Sequence, residues 1–245
     1  MGAMPVFRKE MAEGRTNSTR VAERVPAVRA RIEEAARRAG RDPSNVLLVA
    51  AIKYASDAQV GECLAAGVRD LGENRAQDAQ RRFGLFGKRA RWHFIGHLQT
   101  NKIRHVVPFI DLIHSVDSIR LAAQIDREAA RIGKVQEVLV EVKLSPEATK
   151  FGISPEELGP ALAEMRRFKH LTVEGLMTLA PLAPPEEARP YFRTLRLLAA
   201  EHGERLMMSL SILSMGMTND FEVAVEEGST SVRVGSAIFG QDGGG

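Results

Sequence analysis

The feature that most constrains this chain is an alternation. From residue 45 onward, short apolar runs of strand character trade places with polar segments of helical pattern, eight times over. The first run, Asn45–Lys53 (NVLLVAAIK), is apolar from Val46 up to its last residue, the mark of a strand buried on both faces. Further strands are expected at Arg69–Gly72, Arg91–Gly96, Leu112–Val116, Gln136–Leu144, Leu171–Leu179, Met207–Ser214 and Ser231–Gly235. Between them the pattern predicts a helix over 56–66, with Ser56 as N-cap and Gly67 as stop. A second is capped by Asp117, runs to Ile132 and is ended by Gly133, and more follow near 155–168, 185–203 and 218–227. Eight strands alternating with helices, with no internal repeat, predict an α/β fold: a single (β/α)8 TIM-like barrel. The 245 residues match the roughly 250 such a barrel needs. An open doubly wound sheet is the competing architecture, but it usually has a glycine-rich first turn. The turn after Lys53, Tyr54-Ala55-Ser56, contains no glycine.

Ahead of the barrel, Ser18–Ala39 carries Val21, Val25, Val28, Ile32 and Ala36 on one helical stripe, predicting an extra N-terminal helix that Pro26 either kinks or starts. Residues 1–17 are polar and unpatterned and read as a disordered tail, as does 241–245 with its three glycines, leaving the barrel domain at 18–240. Aromatics make up only 5% of the chain, so Leu, Val, Ile, Ala and Met are expected to build the core.

Composition excludes several classes of function. The single cysteine, Cys63, rules out an internal disulfide and a cysteine zinc cluster, and its neighbours Leu64, Ala65 and Ala66 make it a core residue. No apolar run reaches the roughly 18 residues of a membrane span, and no secretory leader is present, so a cytoplasmic protein without membrane contact is expected. A formal net charge of +3 is no nucleic-acid footprint. Arg20, Arg24, Arg29, Arg31, Arg37 and Arg38 along the first helix read as a solvated face.

In a barrel of this kind the active site gathers at the C-terminal ends of the strands. The first strand ends on Lys53, where a partly desolvated ammonium would release a nucleophilic amine. The second ends in Gly72-Glu73-Asn74 and the third in a cluster holding His93 and His97. Those two histidines have metal-like spacing but straddle a strand and a loop, so no metal site is expected; the remaining histidines read as structural. The seventh strand leads through Ser214 and Gly216 to Thr218, and the eighth through Arg233 to Gly235 and Ser236. Barrel phosphates commonly bind after the last two strands, at a short helix N-terminus. Gly235 allows close backbone approach, and Thr218 and Ser236 offer hydroxyls; simple capping by Thr218 is the bland alternative. Arg233 alternates inward and needs an acceptor. An amine facing a phosphate cup suits an aldehyde-bearing phosphate ester, and pyridoxal 5′-phosphate (PLP) meets both ends with a Schiff base and a phosphate anchor.

The segments LLVAAIK at 47–53, AAGVRDLGENRAQ at 65–77, WHFIGHLQTNK at 92–102, HSVDS at 114–118, KFGIS at 150–154, EGLMTLAP at 174–181 and the long run from Leu213 to Gly240 occur in the order seen in one family. The chain resembles the pyridoxal phosphate homeostasis proteins, whose barrel is that of the N-terminal domain of alanine racemase. The resemblance implies that Lys53 carries PLP, that Thr218, Gly235 and Ser236 hold the phosphate, that Arg233 approaches the pyridine nitrogen and that Asn74 lines the ring; Ser214, at the end of the seventh strand, is counted with them as cofactor-binding. Four departures stand out. Ile52 and Ala55 occupy positions where members usually have a serine and a second lysine. Thr218 stands where serine is common, and Ser236 where threonine is common; both exchanges keep a hydroxyl.

A racemase on this barrel needs a base on the opposite ring face, supplied in alanine racemase by a tyrosine of an added domain. Here the sequence stops about five residues after Gly240. Tyr191 falls in a helical segment and Tyr54 is expected to point away. The reading is therefore a monomeric PLP carrier and buffer in vitamin B6 homeostasis that serves apo PLP-enzymes and catalyses nothing efficiently. The competing reading is a PLP-dependent amino-acid racemase or lyase whose missing base comes from a dimer partner.

Overall fold

The computed structural model describes residues 6–145 and 151–240. Its strands are β1 (Leu47–Ala51), β2 (Asp70–Glu73), β3 (Arg91–Phe94), β4 (Leu112–Val116), β5 (Gln136–Glu141), β6 (Leu171–Met177), β7 (Ile212–Ser214) and β8 (Ser231–Val234). All pair in parallel, each with its successor in sequence, and β8 closes on β1 through Leu47↔Ser231 to Ala50↔Val234. The closed eight-stranded barrel expected from the alternation is therefore present, and the open sheet is not.

Among the described residues the helices are α1 (Val6–Arg38), α2 (Asp57–Ala65), α3 (Ala76–Phe86), α4 (Ile103–Val106), α5 (Ile119–Arg131), α6 (Pro155–Met165), α7 (Pro185–Leu206), α8 (Phe221–Glu226) and α9 (Ser236–Phe239). α2 begins in a reciprocal capping box: Ser56 Oγ accepts from the Gln59 amide at 3.2 Å while Gln59 Oε1 accepts from the Ser56 amide. Gly67 and Gly133, at φ +84° and +67°, take the left-handed turns that follow α2 and α5.

Three local expectations need correction. α5 is capped by Ser118, whose Oγ accepts from the Leu121 amide; the hydroxyl itself donates to Asp117 Oδ1. The seventh strand is far shorter than Met207–Ser214, because α7 continues through Gly203 and the chain reverses at Met207 with φ 51°. α1 starts earlier than Ser18 and continues through Pro26. The core is mainly aliphatic as expected, with Trp92, Phe94, Phe192 and Phe221 among its largest buried side chains. Of the expected tails, 1–5 and 241–245 lie outside the described residues.

α1 buries the predicted stripe of Val21, Val25, Val28, Ile32 and Ala36 against α2, α8 and α9. Its arginines find partners within the chain. Arg31 pairs with Glu222, Arg38 with Glu226 and Arg37 with Glu33, while Arg29 donates to the Gly67 carbonyl. Cys63 is fully buried, and desolvation pushes its thiol up to about 12. No helix among the described residues is long and apolar enough to cross a membrane.

Candidate functional site

A cavity of about 840 Å³ opens at the C-terminal end of the barrel and collects the ends of most strands. Six of the seven residues singled out from the sequence line it: Lys53, Asn74, Thr218, Arg233, Gly235 and Ser236. They come from five separate loops or strands, and barrel closure is what brings them together.

Lys53 follows β1 directly. It is exposed, not desolvated as its place after an apolar run suggested, and its Nζ lies 4.6 Å from the centre of the Tyr54 ring. Tyr54 therefore lines the same cavity and does not turn away from it. The loop carrying Lys53 is held from below by Arg82 of α3, whose side chain is buried. Arg82 Nη1 donates to the Ile52 carbonyl at 2.6 Å and to Glu73, Nη2 donates to the Ala55 carbonyl, and Nε lies 3.3 Å from Asp57. The guanidinium thus grips the carbonyls on either side of Lys53-Tyr54. Desolvation pushes the Glu73 carboxyl up and Arg82 opposes that shift.

On the far wall, the amides of Gly235 and Ala237 both point at Thr218 Oγ1, at 3.3 and 3.4 Å, so the donors of the first turn of α9 converge on one spot. Gly235 suits the close approach there, since a Cβ would lie 3.1 Å from the Ala51 carbonyl oxygen, a tight contact. Ser236 is exposed beside it. Thr218 does not cap α8; Asp220 precedes that helix, and its Oδ1 accepts from the Met217 amide at 2.6 Å. At the β2–β3 edge, Asn74 presents a buried Oδ1 without a hydrogen-bond partner. Gly96 packs directly on the Asn74 backbone, where a Cβ would meet the Asn74 carbonyl oxygen at 2.5 Å.

Arg233 lies on the cavity floor, 4% exposed, donating to Ser214 Oγ and to the Thr178 carbonyl. Burial brings its guanidinium down to about 10, opposed by Glu141 and Asp220. Ser214 sits one layer deeper, fully buried behind Arg233. It does not line the cavity, because its inward-facing place on β7 is covered by that side chain. The two histidines of the third strand diverge. His93 points into the barrel toward Asp70 and His114, whereas His97 stacks on Phe151 at 3.7 Å and lies 3.1 Å from Asp117.

Three features escaped the sequence reading. Glu141, at the end of β5, is 6% exposed and lines the cavity; burial, then Asp117, raises its carboxyl to about 7. Its inward alternation on an apolar strand was the available signal. Arg82 carried none, since it reads as one more cation on a polar helix. His114 was assigned to structure, without its contacts to His93 and Ser214.

An amine at one wall, converging backbone donors at another, an unpartnered amide oxygen between and a cation on the floor suit a flat ring bearing an aldehyde and a phosphate, as PLP does. Residues 24–243 match the model of the alanine racemase N-terminal domain. The pyridoxal phosphate homeostasis protein of Aquifex aeolicus is 41% identical over 221 residues, covering 89% of this chain and 97% of that protein. The corresponding Escherichia coli K12 protein is 35% identical, covering 90% and 96%. Among solved structures, PipY of Synechococcus elongatus with PLP bound superposes with a TM-score of 0.81 at 36% identity, over 90% of this chain and all of that one. Alanine racemase of Clostridium difficile, at 14% identity and a TM-score of 0.69, shares the fold over 55% of its length. The chain belongs to the pyridoxal phosphate homeostasis protein family, on the barrel of the alanine racemase N-terminal domain.

Proposed function

We propose that this protein binds PLP in the cavity, joined covalently to Lys53, and acts in the cytoplasm as a monomeric carrier that buffers the cofactor and passes it to apo PLP-enzymes. The observation that carries the reading is the pairing, across one cavity, of the Lys53 amine with the converging amides of Gly235 and Ala237. When bound, PLP supplies an electrophilic aldehyde carbon and an electron-withdrawing ring. The chain supplies the rest. Lys53 provides the nucleophile, on a loop whose carbonyls Arg82 holds. Thr218, Ser236 and the first turn of α9 would hold the phosphate. Arg233, backed by Ser214, would meet the ring nitrogen from the floor, and Asn74 would offer its amide to the ring edge.

The racemase or lyase reading requires a proton-transfer group facing the ring opposite Lys53. Besides Lys53, the titratable groups among the cavity's lining residues that can transfer a proton are Tyr54, His97, Asp220 and Glu141, the last raised to about 7. Positioned acid–base help contributes roughly 10²–10⁴-fold, so turnover separates the readings. With a panel of amino acids the protein is expected to give spectral shifts without multiple turnovers above a free-PLP control, and its PLP-loaded form should reactivate an apo PLP-enzyme. Borohydride should fix PLP to Lys53, located by peptide mass spectrometry, and Lys53→Ala should abolish the adduct. A label on Lys102 or Lys143, or turnover of one amino acid lost in Lys53→Ala, would overturn the proposal.

A further inference from the structure

The barrel interior divides in two. One side is packed by Leu112, Leu139 and Met177, as the branched aliphatic filling of such barrels leads one to expect. Along the other, five buried side chains from five strands touch in series. Asp70 Oδ1 lies 2.9 Å from His93 Nε2, and His93 Nδ1 lies 2.9 Å from His114 Nε2. His114 Nδ1 in turn lies 2.8 Å from Ser214 Oγ, which also receives Arg233 Nη1. The series starts on the cavity floor and ends at the N-terminal end of β2, away from the cavity.

With one proton on each ring, the hydrogen-bond chemistry allows one direction along this line. The Asp70 carboxylate only accepts, so His93 carries its proton on Nε2 and accepts at Nδ1 from His114 Nε2. His114 Nδ1 then accepts from Ser214 Oγ, and that hydroxyl accepts from Arg233, whose guanidinium only donates. Each donor then meets an acceptor. Burial, together with His93 and Arg233, pushes His114 well below the ordinary imidazole range, in keeping with a neutral ring. Replacing any member by a group of the wrong polarity would leave buried atoms opposed donor to donor or acceptor to acceptor.

We propose that Asp70, His93, His114 and Ser214 are positioning residues for Arg233: a one-way line of hydrogen bonds that fixes its guanidinium on the cavity floor beneath the cofactor ring. The line joins the buried cation to a carboxylate on the far side of the barrel, and orders both imidazoles between them. Arg233 therefore meets the ring nitrogen in one orientation, set before the cofactor arrives. The claim about the ring rests on the PLP reading above; the claim about the line does not.

The first test uses the wild-type protein without PLP, labelled with ¹⁵N at histidine. Nitrogen chemical shifts and couplings should show His93 and His114 as neutral Nε2–H tautomers with slowly exchanging protons. An imidazolium, or an Nδ1–H form of His114, overturns the line whatever the protein binds. The second test measures PLP affinity and the absorption band of the bound cofactor. Ser214→Ala deletes an acceptor of a charged donor and should weaken PLP on the order of 10- to 100-fold and shift the band. Ser214→Thr keeps the hydroxyl and should restore both, a rescue that loss of packing alone would not give. Asp70→Asn keeps an acceptor of the same size outside the cavity; losing its charge should weaken PLP by about 2- to 30-fold. Wild-type affinity and spectrum in Asp70→Asn would overturn the proposal even with Lys53 still labelled. If Ser214→Ala does not fold, Asp70→Asn and the tautomers still decide. Absence of any label on Lys53 in the wild type instead sinks the PLP reading, and the tautomers then judge the line by themselves.

Discussion

Replacing Arg82 with methionine probes the clamp under Lys53 and carries a worked magnitude. The substitution keeps most of the side-chain volume and removes a buried guanidinium that bonds Glu73, Asp57 and the carbonyls of Ile52 and Ala55. Glu73 is fully buried, so its carboxylate is left without its counter-ion. Breaking a buried pair from one side costs about 3–5 kcal/mol. For a domain of this size each kcal/mol moves Tm by roughly 2–4 °C, so a fall of roughly 6–20 °C is expected. The pH dependence follows from linkage. Burial already raises the folded-state Glu73 carboxyl, and losing Arg82 removes the main force that lowers it. A group raised in the folded state stabilises fully below its unfolded pKa and loses that contribution as pH rises through its folded value. The deficit of Arg82→Met should therefore widen between pH 5 and pH 8. Adding Glu73→Leu removes the unpaired charge and should recover part of the loss, while the Ile52 and Ala55 carbonyls remain unsatisfied. Calorimetry of the two variants and the wild type at both pH values is the assay. A loss below about 1 kcal/mol, or a double variant no more stable than the single one, would refute this account of the clamp.

Other outcomes follow from the same geometry. Thr218→Val with Ser236→Val removes two hydroxyls from the phosphate wall, each contributing about 1.5–3 kcal/mol to a charged partner; PLP should weaken sharply and pyridoxal little, and equal losses for the two would rule the wall out. Glu141→Gln deletes a carboxyl raised to about 7. By the same sign, native Glu141 costs the protein stability as pH climbs from about 5 to 8, so the variant's unfolding curves should depend less on pH, by up to about 3 kcal/mol. Gly96→Ala forces a Cβ toward the Asn74 carbonyl and should lower PLP affinity more than it lowers Tm; isothermal titration beside thermal unfolding checks this.

Much of the fold was legible because a parallel barrel writes each strand as an apolar run and each helix as an amphipathic one. β4 coincides with its predicted bounds, and Gly67 and Gly133 stop α2 and α5 as expected. The β7 boundary was missed because Met207, Met208 and Leu210 are apolar but belong to the end of α7 and the loop beyond it, where a left-handed methionine turns the chain. Asp117 and Ser118 are both good caps; His97 engages the first, leaving the second to bond the helix. Lys53, Arg233 and the Thr218–Ser236 wall could be found from where strands end. Asp70, His93, His114 and Ser214 could not be joined, because which side chains meet inside a barrel depends on the stagger of strands distant in sequence. The Arg82 clamp is hidden for another reason: two of its partners are backbone carbonyls, which every residue has.

The position of α1 has a consequence for how the molecule is made. α1 docks on helices made long after it: Arg31 and Glu222 are 191 residues apart in the chain, and Arg24 reaches the Ile238 carbonyl across 214. At synthesis speeds of about 5–20 residues per second, the stripe of Val21, Val25, Val28 and Ile32 waits roughly 10–40 s for the surface that covers it. During that interval it is greasy, helical and unsatisfied, a natural handle for a chaperone and a liability without one. The wall formed by Gly235 and the first turn of α9 also emerges long after β1 with its lysine. A nascent chain therefore carries the amine proposed to take PLP long before the wall proposed to take its phosphate, and on that proposal retention of PLP would report that the ring of strands has closed.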